Sequence, residues 1–338
     1  MTNDFKKLNK QRTKKYRKSE KEESFLEGMN RVLETKEQQE YEDLEIDHPL
    51  IFVIGLPRSG TTLLTQIIAH GLKIGYINNI TARFWSAPLH GLKLSDTLIG
   101  KDKTPQFKSD YGATESLTDI HEFGYFWRNW LNKDSFESIT NAQEYEADID
   151  WDGLKRVLAN IEAYAENGFI FKNIYGSYHI SKLDELLKKT LWVYVERDPL
   201  DVAISNLNAR VKFYDDPGKW WSYVPPEYDE IKDLAAYPQI AGQLHYLKKF
   251  YYQELNKLRD SHDNQLFIHY DELCGKPAAF LDRLKQKVQD LYNYDFQKTK
   301  KLPKTFPVNR YTKQPEIKEK FESLLKEFQQ NDPIPPLK

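Results

Sequence analysis

Cysteine is nearly absent from this sequence, because Cys274 is the only one among 338 residues. A single thiol excludes an internal disulfide and any metal site built from several cysteines. It also fits a reducing compartment, so we expect a cytoplasmic protein. Long apolar runs are missing too. None approaches the roughly 18 residues that a membrane-spanning helix needs, and the N-terminus is too polar for a secretory signal.

An excess of charge of one sign is also missing. Lys+Arg total 49 and Asp+Glu total 51, which gives a formal net charge of -2. The chain as a whole is therefore not expected to bind nucleic acid or a membrane surface. Residues 1–23 are the exception, since they are basic and nearly free of aliphatic side chains. We interpret them as a flexible arm, with docking to an anionic polymer or membrane as the alternative.

Strand-like and helix-like segments alternate along the rest of the chain. The pattern predicts strands at 50–54, 74–77, 169–172, 190–196 and 265–269, and helices at 24–42, 178–189, 199–210, 238–260 and 277–292. Such alternation indicates a three-layer α/β/α fold with a central, mostly parallel sheet. Residues 86–150 and 211–237 fit it poorly. We interpret them as helical and aromatic insertions in one domain over 24–332, followed by a tail over 333–338.

The first predicted strand runs into a candidate phosphate-binding loop. Residues 55–62 (GLPRSGTT) have the frame G-x-x-x-x-G, with a strand before it and a helix after it that ends near Gly71. Glycine lets the backbone curl around an anion, and the helix N-terminus adds partial positive charge. The lysine that contacts the phosphates of a triphosphate is missing, and Thr61 occupies its position. Arg58 supplies the positive charge, which suits a terminal phosphosulfate better than a triphosphate with magnesium.

A second motif follows the strand at 190–196. Arg197 stands at its end, Asp198 can cap the next helix, and Pro199 can open it. Ser205 lies two turns into that helix. The planar fork of an arginine can donate two hydrogen bonds to a phosphate dianion.

Together these two motifs resemble those of the superfamily of sulfotransferases that use 3′-phosphoadenosine 5′-phosphosulfate (PAPS), over roughly residues 49–292. The resemblance implies a fold like that of P-loop nucleotide triphosphatases, PAPS as sulfuryl donor, adenosine 3′,5′-bisphosphate as product, and no metal. It also implies two groups of nucleotide-binding residues. These are Arg58, Ser59, Gly60, Thr61 and Thr62 at the 5′ end, and Arg197, Ser205 and the weaker candidate Arg310 at the 3′ end.

Sulfuryl transfer resembles phosphoryl transfer in needing positioning and stabilisation of charge on the leaving phosphate oxygen. We expect Arg58 and the loop N–H groups to receive that charge. Lys172 ends the strand at 169–172 and resembles the lysine that the family places near the bridging oxygen.

A general base must take the proton of the acceptor. The positions where relatives carry a histidine or a glutamate read Asn173-Ile174-Tyr175 and Asn78-Asn79-Ile80 here. We therefore expect the base in the segment 121–127 (HEFGYFW). His121 is the first choice because it titrates near neutral pH, Glu122 is the second, and Glu115 is a weaker third.

The acceptor is expected to carry a hydroxyl or an amine. Five tryptophans in or beside the insertions favour a carbohydrate or polysaccharide as the acceptor: Trp85, Trp127, Trp130, Trp220 and Trp221. A small phenol or alcohol remains open.

Two other functions stay possible. One is a nucleotide-dependent kinase, against which the missing loop lysine argues. The other is a non-catalytic binding module on a sulfotransferase scaffold, which the missing bases keep open.

Overall fold

A computed structural model of the protein describes residues 4–101, 103–311 and 315–337. Its five strands are β1 (Leu50–Ile54), β2 (Gly75–Tyr76), β3 (Phe169–Lys172), β4 (Thr190–Glu196) and β5 (Gln265–His269). They form one sheet in the order β2-β3-β1-β4-β5, and every neighbouring pair is parallel. The predicted α/β fold with a mostly parallel sheet is confirmed.

The helices lie between and beside the strands. They are α1 (Asp4–Gln11), α2 (Glu20–Glu40), α3 (Thr61–Gly71), α4 (Pro88–Ile99), α5 (Gly124–Trp130), α6 (Phe136–Thr140), α7 (Trp151–Ala165), α8 (Ile180–Leu187), α9 (Pro199–Tyr214), α10 (Tyr228–Ile231), α11 (Ala236–Ser261), α12 (Tyr270–Gly275), α13 (Pro277–Tyr292) and α14 (Pro315–Asn331). Short 3₁₀ turns occupy Thr81–Arg83, Glu146–Asp148 and Gly176–His179. Within the described ranges, none of the helices combines the length and apolar character required to cross a bilayer.

The core consists of two apolar layers, one on each face of the sheet. Leu50 and Phe52 of β1 point into one layer, while Ile51 and Val53 point into the other. This is the alternation that a strand buried on both faces produces. Phe52 stacks on Trp192 of β4 with ring centroids 4.6 Å apart. The predicted covering of both faces is therefore present.

The start of α2 differs from the prediction, which placed it at residue 24. The helix begins at Glu20, and Ser19 is its N-cap, since its side chain accepts a hydrogen bond from Glu22 N. Acidic side chains in the first turn add a favourable interaction with the helix dipole. The expected boundary between arm and domain therefore falls inside a helix.

The N-terminal segment, which we define as residues 4–18, packs against the rest of the protein. The Phe5 ring lies 5.9 Å from that of Phe136 and 6.1 Å from that of Tyr175. Asp4 Oδ2 accepts a hydrogen bond of 3.0 Å from Phe136 N. This differs from the expected flexible arm, because the few aromatic side chains among the basic ones provide contacts that a count of charges does not reveal.

Helices α7 and α14 are among those that were not predicted. In α7 the residues Leu154, Val157, Leu158 and Ile161 are buried at helical spacing, so the periodicity that identifies an amphipathic helix was present. Phe321 anchors α14 and is fully buried. The predicted tail also contacts the domain, since Asn256 Nδ2 donates to Pro336 O over 3.0 Å.

Candidate active site

The strand order brings three functional loops together. Because β3 and β4 flank β1, the carboxyl ends of these strands place Lys172, Arg58 and Arg197 at one edge of the sheet. The connection after β1 runs toward β2 at one edge of the sheet, and the connection after the neighbouring β4 runs toward β5 at the other. Ligands bind at such a crevice in open α/β sheets. The topology therefore explains why residues far apart in sequence share one site.

The loop after β1 has the curled backbone of an anion-binding loop. Gly55, Arg58 and Gly60 have φ values of 154°, 73° and 110°. At Gly60 a Cβ would lie 2.5 Å from Tyr270 Cδ2, so only glycine fits there. Gly60 is also the N-cap of α3 and no side chain caps that helix. The N–H groups of its first turn are thus free to donate to an anion.

Arg58 joins the two predicted halves of the nucleotide site. Its Nε donates to Ser205 Oγ over 3.0 Å, and its carbonyl accepts from Arg197 Nη1 over 3.0 Å. Asp198 caps α9 by accepting from Leu200 N over 2.8 Å, with Pro199 as the first helical residue, so this local prediction is confirmed. The loop after β1 and the arginine–serine motif therefore form one continuous surface.

Two buried polar atoms at this surface have no hydrogen-bond partner among the described residues: Ser59 Oγ and Arg197 Nε. Burial also lowers the pKa of the Arg58 guanidinium, and the nearby positive charge of Arg197 adds to the effect. A buried donor without an acceptor costs about 1–3 kcal/mol. An anion between Arg58 and Arg197 would offset that cost, so these residues fit a phosphorylated ligand.

Lys172 links the first turn of α3 to a carboxylate. Its side chain is buried, and Nζ donates to Thr62 Oγ1 over 2.8 Å. Nζ also forms an ion pair with Glu122 Oε1, whose side chain is 35% exposed. A Cβ on Gly112 would lie 3.6 Å from both Lys172 Nζ and Thr62 Oγ1. Glu122 is therefore held beside the anion-binding end of α3 and is still reached by solvent.

His121, the first choice for the base, is placed differently. Its Nδ1 accepts a hydrogen bond of 2.9 Å from Phe123 N, so that nitrogen carries no proton and has a structural role. Surrounding protein atoms lower the pKa of His121, although more than a third of the residue is accessible to solvent. The accepted hydrogen bond is therefore the stronger reason to regard the ring as neutral. Glu115 is exposed at the surface.

Arg310 lies next to the arginine–serine motif but is already paired. Its Nη1 donates to Asp201 Oδ2 over 2.8 Å, and its Nη2 pairs with Asp271. The following Tyr311 places its hydroxyl 3.2 Å from Ser205 Oγ. A phosphate at Arg310 would have to compete with two carboxylates. The last residue of the predicted loop 303–312 lies outside the described residues.

The tryptophans do not form the aromatic platform that the sequence suggested. Trp85, Trp127 and Trp220 are 7%, 0% and 6% exposed, so they are core residues. Trp127, for example, packs edge-on against Phe171 at 5.4 Å. Trp130 and Trp221 are partly exposed.

Sequence reasoning missed the tyrosines of the site. The Arg58 guanidinium lies 4.6 Å from the Tyr111 ring, and the Arg197 guanidinium lies 4.6 Å from the Tyr270 ring. Such contacts orient a guanidinium and leave its edge free to donate. Nothing in the local pattern around Tyr111 indicated this position, since it lies in an insertion without periodicity.

The fold and the site together define an α/β protein of the phosphate-loop class, with an arginine in the loop in place of the usual lysine after its second glycine. The model of the sulfotransferase family matches residues 49–289, which is more than half of the chain. The protein belongs to the sulfotransferase family. A search of curated proteins found no match.

A search of solved structures found two mycobacterial sulfotransferases among its matches. One from Mycobacterium tuberculosis shares 16% identity at a TM-score of 0.48, with 88% of this chain and 84% of that chain covered. One from Mycobacterium avium shares 16% identity at a TM-score of 0.48, with 86% and 70% covered. A retinol dehydratase in complex with androsterone and the inactive cofactor PAP shares 13% identity at a TM-score of 0.27, with 88% and 69% covered.

Proposed function

We propose that this sulfotransferase moves a sulfuryl group from PAPS to an acceptor hydroxyl. The observation that carries the proposal is the meeting of Arg58, Lys172 and Arg197 around the uncapped N-terminus of α3, with Arg58 bonded to Ser205. A nucleotide with one anionic group at each end matches a site with two cationic ends.

The residues divide between those two ends. The 5′-phosphosulfate would lie against the loop, and the 3′-phosphate would lie at the start of α9. The loop residues in this proposal are Arg58, Ser59, Gly60, Thr61 and Thr62; the residues at the other end are Arg197 and Ser205, with Arg310 available if its carboxylate partners move.

Glu122 is the group that we place as general base. Bound PAPS supplies an activated sulfuryl group, and the new S–O bond forms as the bond to the phosphate oxygen breaks. Glu122 then accepts the acceptor proton, a role worth typically 10²–10⁴-fold in rate. Lys172 orients the Glu122 carboxylate through their ion pair. Lys172 and Arg58 stabilise the charge that develops on the leaving oxygen.

For the acceptor we favour a carbohydrate hydroxyl, with a phenol, an alcohol or an amine as alternatives. Trp221 is the tryptophan that still supports this choice, because it is partly exposed and stacks on Phe213 with centroids 6.0 Å apart. Phe213 in turn lies 6.1 Å from Tyr111, which contacts Arg58. This aromatic group therefore begins at the loop and extends away from the nucleotide.

Isothermal titration separates the proposal from a kinase. We expect tight binding of adenosine 3′,5′-bisphosphate without metal and weak binding of ATP–magnesium. Strong, magnesium-dependent ATP binding with no bisphosphate binding would contradict the proposal. Transfer of ³⁵S from labelled PAPS to glycans and phenols then tests catalysis. Bisphosphate binding without transfer to any acceptor would favour the non-catalytic binding module.

A further inference from the structure

The N-terminal segment crosses one side of the proposed site. We call this side the acceptor face and define it by Tyr111, Glu122, Tyr175 and Phe213. Tyr111 contacts Arg58, and Glu122 pairs with Lys172. Tyr175 lies near the Glu122 segment, since a Cβ on Gly124 would be 3.7 Å from Tyr175 Cε2.

Contacts at both ends hold the segment on this face. Thr13 N donates to Phe213 O over 2.9 Å, and the Tyr16 ring lies 4.6 Å from the Phe213 ring. At the other side, Phe5 packs against Tyr175 with ring centroids 6.1 Å apart. Residues between Phe5 and Thr13 therefore lie between the two borders of the acceptor face.

Arg12 differs from the other cations of this segment in its burial. Four lysines have carboxylate partners, Lys6 with Glu27, Lys7 with Asp4, Lys10 with Glu20 and Lys18 with Glu23, and Lys14, Lys15 and Arg17 are exposed. Arg12 forms no ion pair with a described carboxylate, and its buried Nε has no hydrogen-bond partner among the described residues. Its guanidinium lies 5.7 Å from the Phe213 ring.

Arg128 approaches the same face from α5. Its guanidinium lies 4.5 Å from the Phe5 ring and 5.4 Å from the Tyr125 ring. Its Nε is also buried without a partner among the described residues, and its contact with a carboxylate is a 3.4 Å approach of Nη2 to Asp134.

Tyr175 relates the two arginines to the proposed base. Burial raises the pKa of Tyr175 to about 12, the positive charges of Arg128 and Arg12 act against that rise, and the charge of Glu122 adds to it. The Phe5 ring also links Arg128 to this tyrosine, since it lies 4.5 Å from the Arg128 guanidinium and 6.1 Å from the Tyr175 ring. Two buried guanidinium N–H groups without acceptors are costly unless a ligand supplies an acceptor.

We infer that Arg12 and Arg128 bind an anionic group, a carboxylate or a sulfate, on the same acceptor molecule whose hydroxyl is presented to Glu122. The inference rests on the proposed function and adds a class to it: the acceptor is an acidic molecule. Both arginines can offer a planar pair of donors to such a group. The N-terminal segment then contributes to acceptor specificity.

The test uses matched acceptors that differ in one acidic group. We would measure kcat/KM by ³⁵S transfer from PAPS to 4-nitrophenyl β-D-glucuronide and to the neutral 4-nitrophenyl β-D-glucoside, and likewise to 4-hydroxybenzoate and 4-hydroxybenzamide. The wild-type protein should prefer the acidic member of at least one pair about tenfold, because a hydrogen bond to a charged group is stronger than one to a neutral group. R12A and R128A should each reduce that preference to about twofold or less.

Lys14→Ala is the matched control, because Lys14 is an exposed cation of the same segment. It removes the same charge and should keep the preference. Equal use of acidic and neutral acceptors by the wild-type protein would overturn the inference, as would a preference that survives both R12A and R128A. A preference that K14A also abolishes would show a diffuse charge effect and would overturn it as well.

Binding measurements separate failure of this inference from failure of the proposed function. Titration of adenosine 3′,5′-bisphosphate reports on the nucleotide site alone. If Arg12 binds the acceptor, R12A should leave the Kd of this nucleotide unchanged within twofold. A larger weakening would place Arg12 at the nucleotide and overturn the inference. If no sulfur is transferred to any compound, titration of the glucuronide and the glucoside still decides it. Selective glucuronide binding that R12A removes supports the anion subsite, and unselective binding overturns it.

Discussion

Arg58 and Ser205 are joined by a 3.0 Å hydrogen bond from Nε to Oγ, across 147 positions of sequence. The contact ties the loop after β1 to the second turn of α9. Since both residues are proposed to bind opposite ends of one nucleotide, the two halves of the site are already aligned with each other. Such preorganisation reduces the ordering that binding would otherwise require.

Removing the Arg58 side chain should weaken nucleotide binding strongly. Arg58→Ala should raise the Kd of adenosine 3′,5′-bisphosphate about 10–100-fold, because charged hydrogen bonds contribute about 1.5–3 kcal/mol. Ser205→Ala should raise it less, by about 2–10-fold. Isothermal titration of both single variants and the double variant would test this. The two effects should not add, since the residues share one contact. An unchanged Kd for Arg58→Ala would contradict the assignment.

The base can be identified by comparing neighbouring residues. Glu122→Gln should lower kcat by about 10²–10⁴-fold, the range expected for a lost general base, while the Kd of adenosine 3′,5′-bisphosphate stays within about threefold. His121→Ala should lower kcat by less than tenfold, because its Nδ1 is bonded to Phe123 N. Steady-state ³⁵S transfer measures both. A larger loss for His121→Ala would make His121 the base instead.

Gly112 tests whether the space beside Lys172 is needed. Gly112→Ala places a methyl group 3.6 Å from Lys172 Nζ at a backbone φ of 88°. It should cost about 1 kcal/mol of stability and also raise the KM of the acceptor. Gly100→Ala is the control, because its φ is 82° and nothing lies within 4 Å of the added Cβ. The Tm should fall at least as much there, because Gly100 also has a ψ of 163°, and the KM of the acceptor should stay normal. A raised KM in both variants would argue against crowding.

Lys133 is a buried lysine whose effect on stability depends on pH. It is 0% exposed, its Nζ has no partner among the described residues, and burial lowers its pKa to about 8. A lysine that is charged below pH 8 in the folded state destabilises it by on the order of 3 kcal/mol. Lys133→Met should therefore increase the free energy of unfolding at pH 7, as urea titration would measure.

The sign of the pH effect follows from the direction of the pKa change at Lys133. Because the folded-state pKa is below the unfolded value, the wild-type protein should gain stability as pH rises from about 8 to about 10.5. The difference in the free energy of unfolding between the wild-type protein and Lys133→Met should shrink over that window. If this difference stayed constant with pH, packing and not the charge of Lys133 would be its cause.

The parts of the site that the sequence predicted are those determined by residues close together in the chain. The loop after β1 and the Asp198–Pro199 start of α9 are specified by neighbouring residues, and their bounds were predicted closely. The ion pair of Glu122 with Lys172 joins residues 50 positions apart, and no local pattern indicates which carboxylate meets that lysine. For the same reason the sequence analysis placed His121 ahead of Glu122.

The N-terminal segment shows a second limit. Its composition indicated a solvated arm, because lysines and arginines are frequent there and aliphatic side chains are nearly absent. Its position depends instead on Phe5 and Tyr16, which contact aromatic residues more than a hundred positions away. Long-range aromatic contacts of this kind leave no periodic signal.

Arg58 has a φ of 73°, which is a backbone conformation that glycine adopts without strain. Non-glycine residues lose roughly 1–2 kcal/mol there. Arg58→Gly would relieve that strain, but it would also remove the hydrogen bond to Ser205 and the contact with the Tyr111 ring. An arginine at this position therefore combines an unfavourable backbone conformation with the contacts that we propose hold the sulfuryl donor.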